Sequence, residues 1–204
     1  MDLKRRELIA LTGALMIPGF LDGSIIKTPW QSAGPFYPDR MPEDTDNDLV
    51  LNGETAIRAG GKILNLHGVL VDSQSKPMGG SEIEIWQTDL NGVYIHSGSF
   101  GRSRRDQHFQ GFGRCRTDSE GRFYFRTIIP VEYPGRTPHI HMKVLLLRKI
   151  LLITQLYIEG HRLNSSDFLY RDMSEAEREL NSMKLSPVSN NGIQQYESSI
   201  QIIV

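Results

Sequence analysis

Two histidines stand one residue apart in the stretch YPGRTPHIH, which runs from Tyr133 to His141. Side chains alternate along a strand, so His139 and His141 share one face while Ile140, Met142 and Val144 share the other. Same-face neighbours lie about 6–7 Å apart at the backbone, near enough for two imidazoles to converge on one ion. The same pattern also describes two partly buried histidines hydrogen-bonded to their neighbours. A metal would need further donors from elsewhere in the chain. Cys115 is the only cysteine, and no Asp or Glu stands at a ligand-like spacing from the pair. Tyrosine is the remaining donor type. Tyr133 precedes His139 in a loop bent by Pro134, Gly135 and Pro138, and Tyr94 follows a turn in WQTDLNGVYIH. A phenol, with its ordinary pKa of about 10, is held ionised at neutral pH only by a strongly acidic cation. That need points to ferric iron, whereas zinc and magnesium usually take other ligands. Taken singly, each tyrosine reads equally well as a half-buried sheet aromatic.

The elements that must position these residues are strands. KILNLHGVLVD (Lys62 to Asp72), SEIEIWQTD (Ser81 to Asp89), GRCRTDSEGRFYFRTI (Gly113 to Ile128), HIHMKVLLL with LLITQLYIEG, and the closing SIQIIV are apolar, β-branched runs. Gly, Pro and Asp bound them, and the third reads as two strands around the turn Asp118-Ser119-Glu120-Gly121. One helix announces itself: Ser174 with Glu177 forms a capping box ahead of AERELNSM. Ahead of the strands, Thr28 to Asp48 is rich in Pro, Gly and Asp and reads as an extended arm. Between strands lies a long irregular loop, His96 to Gly113, which carries Arg102, Arg104 and Arg105. That basic loop either draws in carboxylated aromatic acids or is solvated and touches a partner chain. The sum is an all-β chain: a β-sandwich with long irregular loops and one or two short helices.

Composition bounds the rest. The chain has 204 residues, a formal net charge of -1, 39% hydrophobic residues and 23% charged ones. These values suit one globular domain, over residues 26–204, and give no basic excess for nucleic acid. A single cysteine excludes an internal disulfide. The first 25 residues differ in character: Lys4-Arg5-Arg6 precedes an apolar run from Leu8 to Phe20. That run is too short for a stable membrane span of about 20 residues. It has the order of an export signal, and the Arg5-Arg6 pair suggests the twin-arginine route to the periplasm. The other reading is a short N-terminal helix on a cytoplasmic protein.

Three stretches, IEIWQTDLNGVY, DQHFQGFGRCRTDSEGRFYFRTIIPVEYPGRTPHIH and TQLYIEG, together resemble the intradiol ring-cleavage dioxygenases. The resemblance is greatest to their protocatechuate 3,4-dioxygenase β chains and runs from about Thr28 to Glu177. Its specificity lies in the order of the Trp86-Gln87 pair, a Tyr, a second Tyr, Arg and H-x-H. The resemblance implies one Fe(III) per chain, bound by Tyr94, Tyr133, His139 and His141 with a water or hydroxide as fifth ligand. It further implies that Arg136 and Gln155 lie near the ring that is cleaved. Trp86, Gly135 and Tyr37 would belong to the substrate pocket. The implied reaction cleaves a catechol with O₂, between its two hydroxyl-bearing carbons, to a muconate-type diacid. The implied assembly is an oligomer, either of this chain alone or with an α-type chain. In the family's β chains a tryptophan follows the Tyr-Pro, where Gly135 stands here, so the substrate is expected to differ from protocatechuate alone. A non-catalytic, transthyretin-like β-sandwich binding module would share the strand pattern and would have no reason to keep iron.

Overall fold

The computed structural model describes residues 25–51, 57–190 and 192–204 of the chain. The leader expected over the first 25 residues lies outside the described residues, apart from Ile25. Among the described residues nine strands form two sheets. β1 (Ile63–Val71), β4 (Arg122–Ile128), β8 (Ser186–Asn190) and β9 (Ile193–Ile203) make a four-stranded sheet in the order β4-β1-β9-β8. β2 (Glu82–Trp86), β3 (Phe112–Arg116), β5 (His139–Leu146), β6 (Lys149–Ile158) and β7 (Ser182–Met183) make a five-stranded sheet in the order β3-β2-β5-β6-β7. The pairs β1–β9 and β6–β7 are parallel, and the other pairs are antiparallel. Two short helices, α1 (Phe168–Asp172) and α2 (Glu175–Leu180), bridge β6 and β7. Ser174 caps α2 with the capping box that its sequence calls for, its hydroxyl accepting from the Glu177 N–H. Among the described residues no helix is long and apolar enough to cross a membrane.

The core lies between the sheets, and alternation fills it. Leu64, Leu66 and Leu70 from β1 face Ile83 and Ile85 from β2 and Ile140, Met142 and Val144 from β5, all fully buried. Each such side chain contributes roughly 1.5–3 kcal/mol through removal from water. A one-residue slip of β5 would turn His139 and His141 into this core, so burial of the even positions fixes the histidines on the outer face.

That outer face is also covered, by the arm that precedes β1. The arm is extended, as its composition predicts, and it docks by backbone bonds: Thr28 N–H to the Ile203 carbonyl at 3.0 Å and Gln31 N–H to the Ile153 carbonyl at 2.7 Å. Beneath it a second apolar cluster forms from Trp86, Tyr94 and Phe112, with Ala33, Phe36, Tyr37, Tyr133 and Ile153 packed against it. The five-stranded sheet is therefore buried on both faces over its central strands, which is why β5 carries four consecutive buried residues, His139 to Met142.

The long loop after Tyr94 holds its shape partly through Asp89. Its Oδ1 accepts from Asn91 N–H and Val93 N–H, and its Oδ2 from Asp106 N–H. Arg102 and Arg104 stand on an exposed turn of that loop, and the Arg102 Nη1 donates to the Ser97 carbonyl at 3.2 Å.

Candidate metal centre

Strand register assembles the site in ranks across the sheet. Trp86 pairs with His141 on one side, and Gln155 pairs with it on the other. One rank away, His139 pairs with Tyr157; one rank the other way, Lys143 sits between Glu84 and Ile153. All these side chains rise from the same face, because each differs by two from its neighbour on the strand.

Three donor atoms meet above His139 and His141. The two Nε2 atoms are 3.2 Å apart, and the Tyr94 hydroxyl lies 3.2 Å from one and 3.1 Å from the other. Donors held about 2.1 Å from one ion at right angles stand roughly 3.0 Å apart, so this triangle has the dimensions of one face of a coordination sphere. Tautomers agree with that use. The His139 Nδ1 lies 2.7 Å from the Thr137 carbonyl, which can only accept, so Nδ1 carries the proton and Nε2 presents a lone pair. The His141 Nδ1 is buried with no hydrogen-bond partner. Among the described residues no three His, Cys, Asp or Glu side chains gather to hold a metal, and the third atom beside the two Nε2 atoms is the Tyr94 hydroxyl oxygen.

Electrostatics leaves these groups neutral. Burial pushes the His139 imidazole down to about 3, with the Arg136 charge acting the same way. Burial also holds His141 well below its ordinary value, helped by His139 and Arg136. The Tyr94 phenol is raised well above its ordinary value, first by burial and then by Tyr133 beside it. Two neutral imidazoles and a phenol that resists ionisation form a cluster that a strongly acidic cation would stabilise, by taking the lone pairs and displacing the phenol proton.

Tyr133 closes the open side. Its ring is edge-on to Tyr94 at 5.6 Å and tilted against His139 at 5.6 Å, and the residue is only half-buried. Local sequence sets its position. The Arg136 N–H returns to the Tyr133 carbonyl at 2.9 Å, closing a turn with Pro134 and Gly135 at its centre. Gly135 has φ +83, which a turn of this Pro-Gly kind requires at its third residue. A Cβ built on Gly135 meets nothing within 4 Å, so the space beside the turn is open.

Arg136 is fully engaged. Its Nε donates to Asp167 at 2.7 Å, its Nη2 to the Gln155 side-chain Oε1 at 2.6 Å, and its Nη1 to the Tyr133 hydroxyl at 3.5 Å. The Phe168 ring lies against the guanidinium at 5.4 Å while remaining 58% exposed, so it stands at the rim. The salt bridge that Arg136 makes is thus inside the site, with Asp167 completely buried, and not a solvated pair on a loop. Gln155 is held by that guanidinium and by its own amide, which donates to the Ser32 carbonyl at 3.0 Å.

Two pocket expectations take a different form. Trp86 does not line open space: it is fully buried behind His141, its ring stacked on the imidazole at 4.8 Å and 4°. Tyr37 turns away from the donor triangle. Its hydroxyl donates to Glu84 at 2.9 Å and accepts from Lys143 at 3.1 Å, and its ring meets Trp86 edge-on at 5.0 Å. Lys143 and Glu84 pair at 2.7 Å, and this buried pair captures the phenol. The preceding residue, Phe36, faces the site instead, stacked on Tyr94 at 5.0 Å and edge-on to Tyr133 at 6.1 Å. Gly34 brings the arm over His141, where a Cβ would stand 3.4 Å from its Cε1. Asp167, Phe36 and Phe168 have no motif near the histidines, and of these only the helix-capping place of Asp167, just before FLYRD, is visible in sequence, whereas Lys143 follows His141 by two on the same strand face.

A family model described as Dioxygenase matches residues 32–202. The protocatechuate 3,4-dioxygenase beta chain of Burkholderia cepacia is 33% identical over 147 residues, 68% of this chain and 61% of that one. The catechol 1,2-dioxygenase of Acinetobacter baylyi is 28% identical over 161 residues, 70% of this chain and 50% of that one. The chain thus spans 50% to 61% of the length of these two relatives. Among solved structures, the dioxygenase domain of a dioxygenase carbohydrate-binding protein fusion from Streptomyces sp. SirexAA-E is similar, with a TM-score of 0.67 at 29% identity. It is covered over 98% of its length by 88% of this chain. Since the family match reaches from the arm that roofs the donor triangle to the last strand of the sandwich, the chain belongs to the intradiol ring-cleavage dioxygenases.

Proposed function

We propose that this chain binds one ferric iron through Tyr94, Tyr133, His139 and His141 and cleaves a catechol with O₂, between its hydroxyl-bearing carbons, to a muconate-type diacid. The observation that carries this reading is the buried triangle of the two Nε2 atoms and the Tyr94 oxygen, all within 3.2 Å, with a second tyrosine on its open side. Ferric iron, when bound, supplies Lewis acidity toward the catechol oxygens. Two phenolates offset most of its charge, which lowers the cost of keeping the ion in a buried pocket. The donor set of two imidazoles and two phenols therefore fits this ion.

The chain's own residues divide the remaining work. A catechol that binds through both oxygens must lose two protons. Tyr133, half-buried and edge-on to the triangle, would take one of them if the ion holds it as a phenolate. The Arg136 Nη1 points at that same oxygen and stabilises negative charge there and on the substrate ring. Phe36 and Gly34 roof the pocket and exclude water from the histidines.

Purified protein is expected to contain ferric iron near one equivalent and to be coloured by phenolate-to-iron absorption, and oxygen-uptake assays should respond to catechols. Metal analysis, a visible spectrum and an electrode trace against a catechol panel check this. A colourless protein full of zinc, or one without metal, would return the sandwich to a binding module.

The relatives' names span protocatechuate and catechol. Open space at Gly135 favours a ring with a larger substituent than either. Gly135→Trp should therefore cut kcat/KM for 4-alkylcatechols relative to catechol, by about 1–3 kcal/mol in relative terms. The positive φ adds about 1–2 kcal/mol of backbone strain, to be read separately by thermal unfolding. Unchanged substrate ratios would show that Gly135 does not face the ring.

A further inference from the structure

Asp167 lies far from every recognised element of the site in sequence, yet one carboxylate ties four parts of it together. Its side chain is completely buried. Oδ1 accepts from the Leu169 and Tyr170 N–H groups at 3.0 and 3.1 Å, capping α1. Oδ2 accepts from the Arg136 Nε at 2.7 Å and from the Thr137 N–H at 3.0 Å. A guanidinium is planar, so fixing Nε fixes the directions of both terminal nitrogens. With Nε on Asp167, Nη2 is aimed at Gln155 and Nη1 at the Tyr133 oxygen. The same Oδ2 of Asp167 also acts on a histidine. Thr137, whose N–H is held by Asp167, offers its carbonyl to the His139 Nδ1 at 2.7 Å, the bond that sets the tautomer of that imidazole.

We infer that Asp167 is the positioning residue of the centre: it aims Arg136 at the Tyr133 oxygen and anchors the carbonyl that orients His139. The inference rests on the ferric reading given above, and it adds a residue that touches neither the ion nor the substrate. Its negative charge also offsets Arg136, so the guanidinium is not left as an unpaired charge in a buried site.

Asp167→Asn, Arg136→Gln and the double variant test it. Asparagine has one accepting oxygen and no charge, so whichever way its amide turns Arg136 loses the charge-assisted bond that Asp167 supplies, and one orientation also points an N–H at the guanidinium. In iron-free protein, NMR should show an Arg136 Nε–H that exchanges slowly in wild type and quickly in Asp167→Asn. Equal protection in both overturns the inference. In iron-loaded protein, Asp167→Asn should keep its iron and lose roughly 10- to 100-fold in kcat with a smaller change in KM. Its phenolate-to-iron band should move to longer wavelength, because a phenolate that loses an aligned donor gives up its electron more readily. Arg136→Gln should do the same. The double variant should fall no more than about two-fold below the worse single one, as for residues that act through one another. Effects that multiply, or an unmoved band, overturn the inference. If Asp167→Asn does not fold, Asp167→Glu replaces it, with the same losses expected from the displaced carboxylate and wild-type behaviour counting against the inference. A wild type without iron or colour sinks the ferric reading alone, and the Nε–H exchange then still decides whether Asp167 holds Arg136.

Discussion

His141→Ala is expected to abolish iron retention, visible colour and ring cleavage together. The substitution removes one of three donors that stand within 3.2 Å of one another. No other described side chain can take its place: the ring fits between Trp86, stacked at 4.8 Å, and the arm at Gly34. His139→Ala should have the same outcome, since its Nε2 is the second donor and its Nδ1 is already committed to Thr137. Replacing an outer partner of a ligand typically costs 10- to 100-fold, so loss of a donor itself should leave less than about 1% of activity. Iron per chain by metal analysis and turnover by oxygen uptake measure it. His67→Ala is the control. That histidine is exposed on β1 against Tyr124, and its removal should change neither quantity. Full activity in either ligand variant would remove the site from the mechanism.

The second large effect is on stability and involves no ligand. Lys143 and Glu84 pair at 2.7 Å on adjacent strands, with side chains only 15% and 7% exposed. The Tyr37 hydroxyl bonds both, and the Lys143 ammonium lies 4.3 Å from the centre of its ring. Glu84→Ala leaves that ammonium buried without its carboxylate and the Tyr37 hydroxyl without its acceptor. The expected loss is about 3–5 kcal/mol, the usual cost of stranding one half of a buried pair. Replacing both partners, as Glu84→Leu with Lys143→Met, should recover most of it, because apolar groups of similar size need no compensation there. Urea denaturation of the three variants measures it. A loss below about 1 kcal/mol for Glu84→Ala would mean that water reaches the lysine. Since Tyr37 ties the arm to this pair, Glu84→Ala should also loosen the roof and weaken iron retention, an effect the double variant restores only in part.

The strands were legible because each buries alternate residues in one core, and that periodicity is local. The histidine pair was legible for the same reason: two polar residues interrupt a run whose even members are apolar. β7, β8 and α1 carried no such signal. β7 is two residues long, β8 (SPVSN) has no fully buried side chain, and α1 presents no buried face. Site assembly was legible only where chain neighbours cooperate, as in the turn from Tyr133 to Arg136. Asp167 reaches Arg136 across 31 residues, and Tyr37 reaches Glu84 across 47. Such contacts depend on which loop covers which strand, and one sequence does not encode that in its spacing. Tyr37 shows the difficulty most clearly. A tyrosine in GPFY reads as a group that meets substrate, but a buried Lys–Glu pair nearby offers its hydroxyl two stronger partners, and Phe36 takes the place beside Tyr94.

The parallel pairing of β1 with β9 sets the order of events during synthesis. Leu64 lies opposite Tyr196 and Val71 opposite Ile203, so the middle of the four-stranded sheet stays vacant until the last strand has been made. Closing so long a loop is entropically costly and makes for slow folding. The arm is bound to the same late event, because Thr28 donates to the Ile203 carbonyl and its hydroxyl accepts from the Ile203 N–H. The roof over the histidines can therefore seat only after β9 has been made and paired. A metal site enclosed by that roof would close only at this late step, after the strand farthest along the sequence has found its place beside β1.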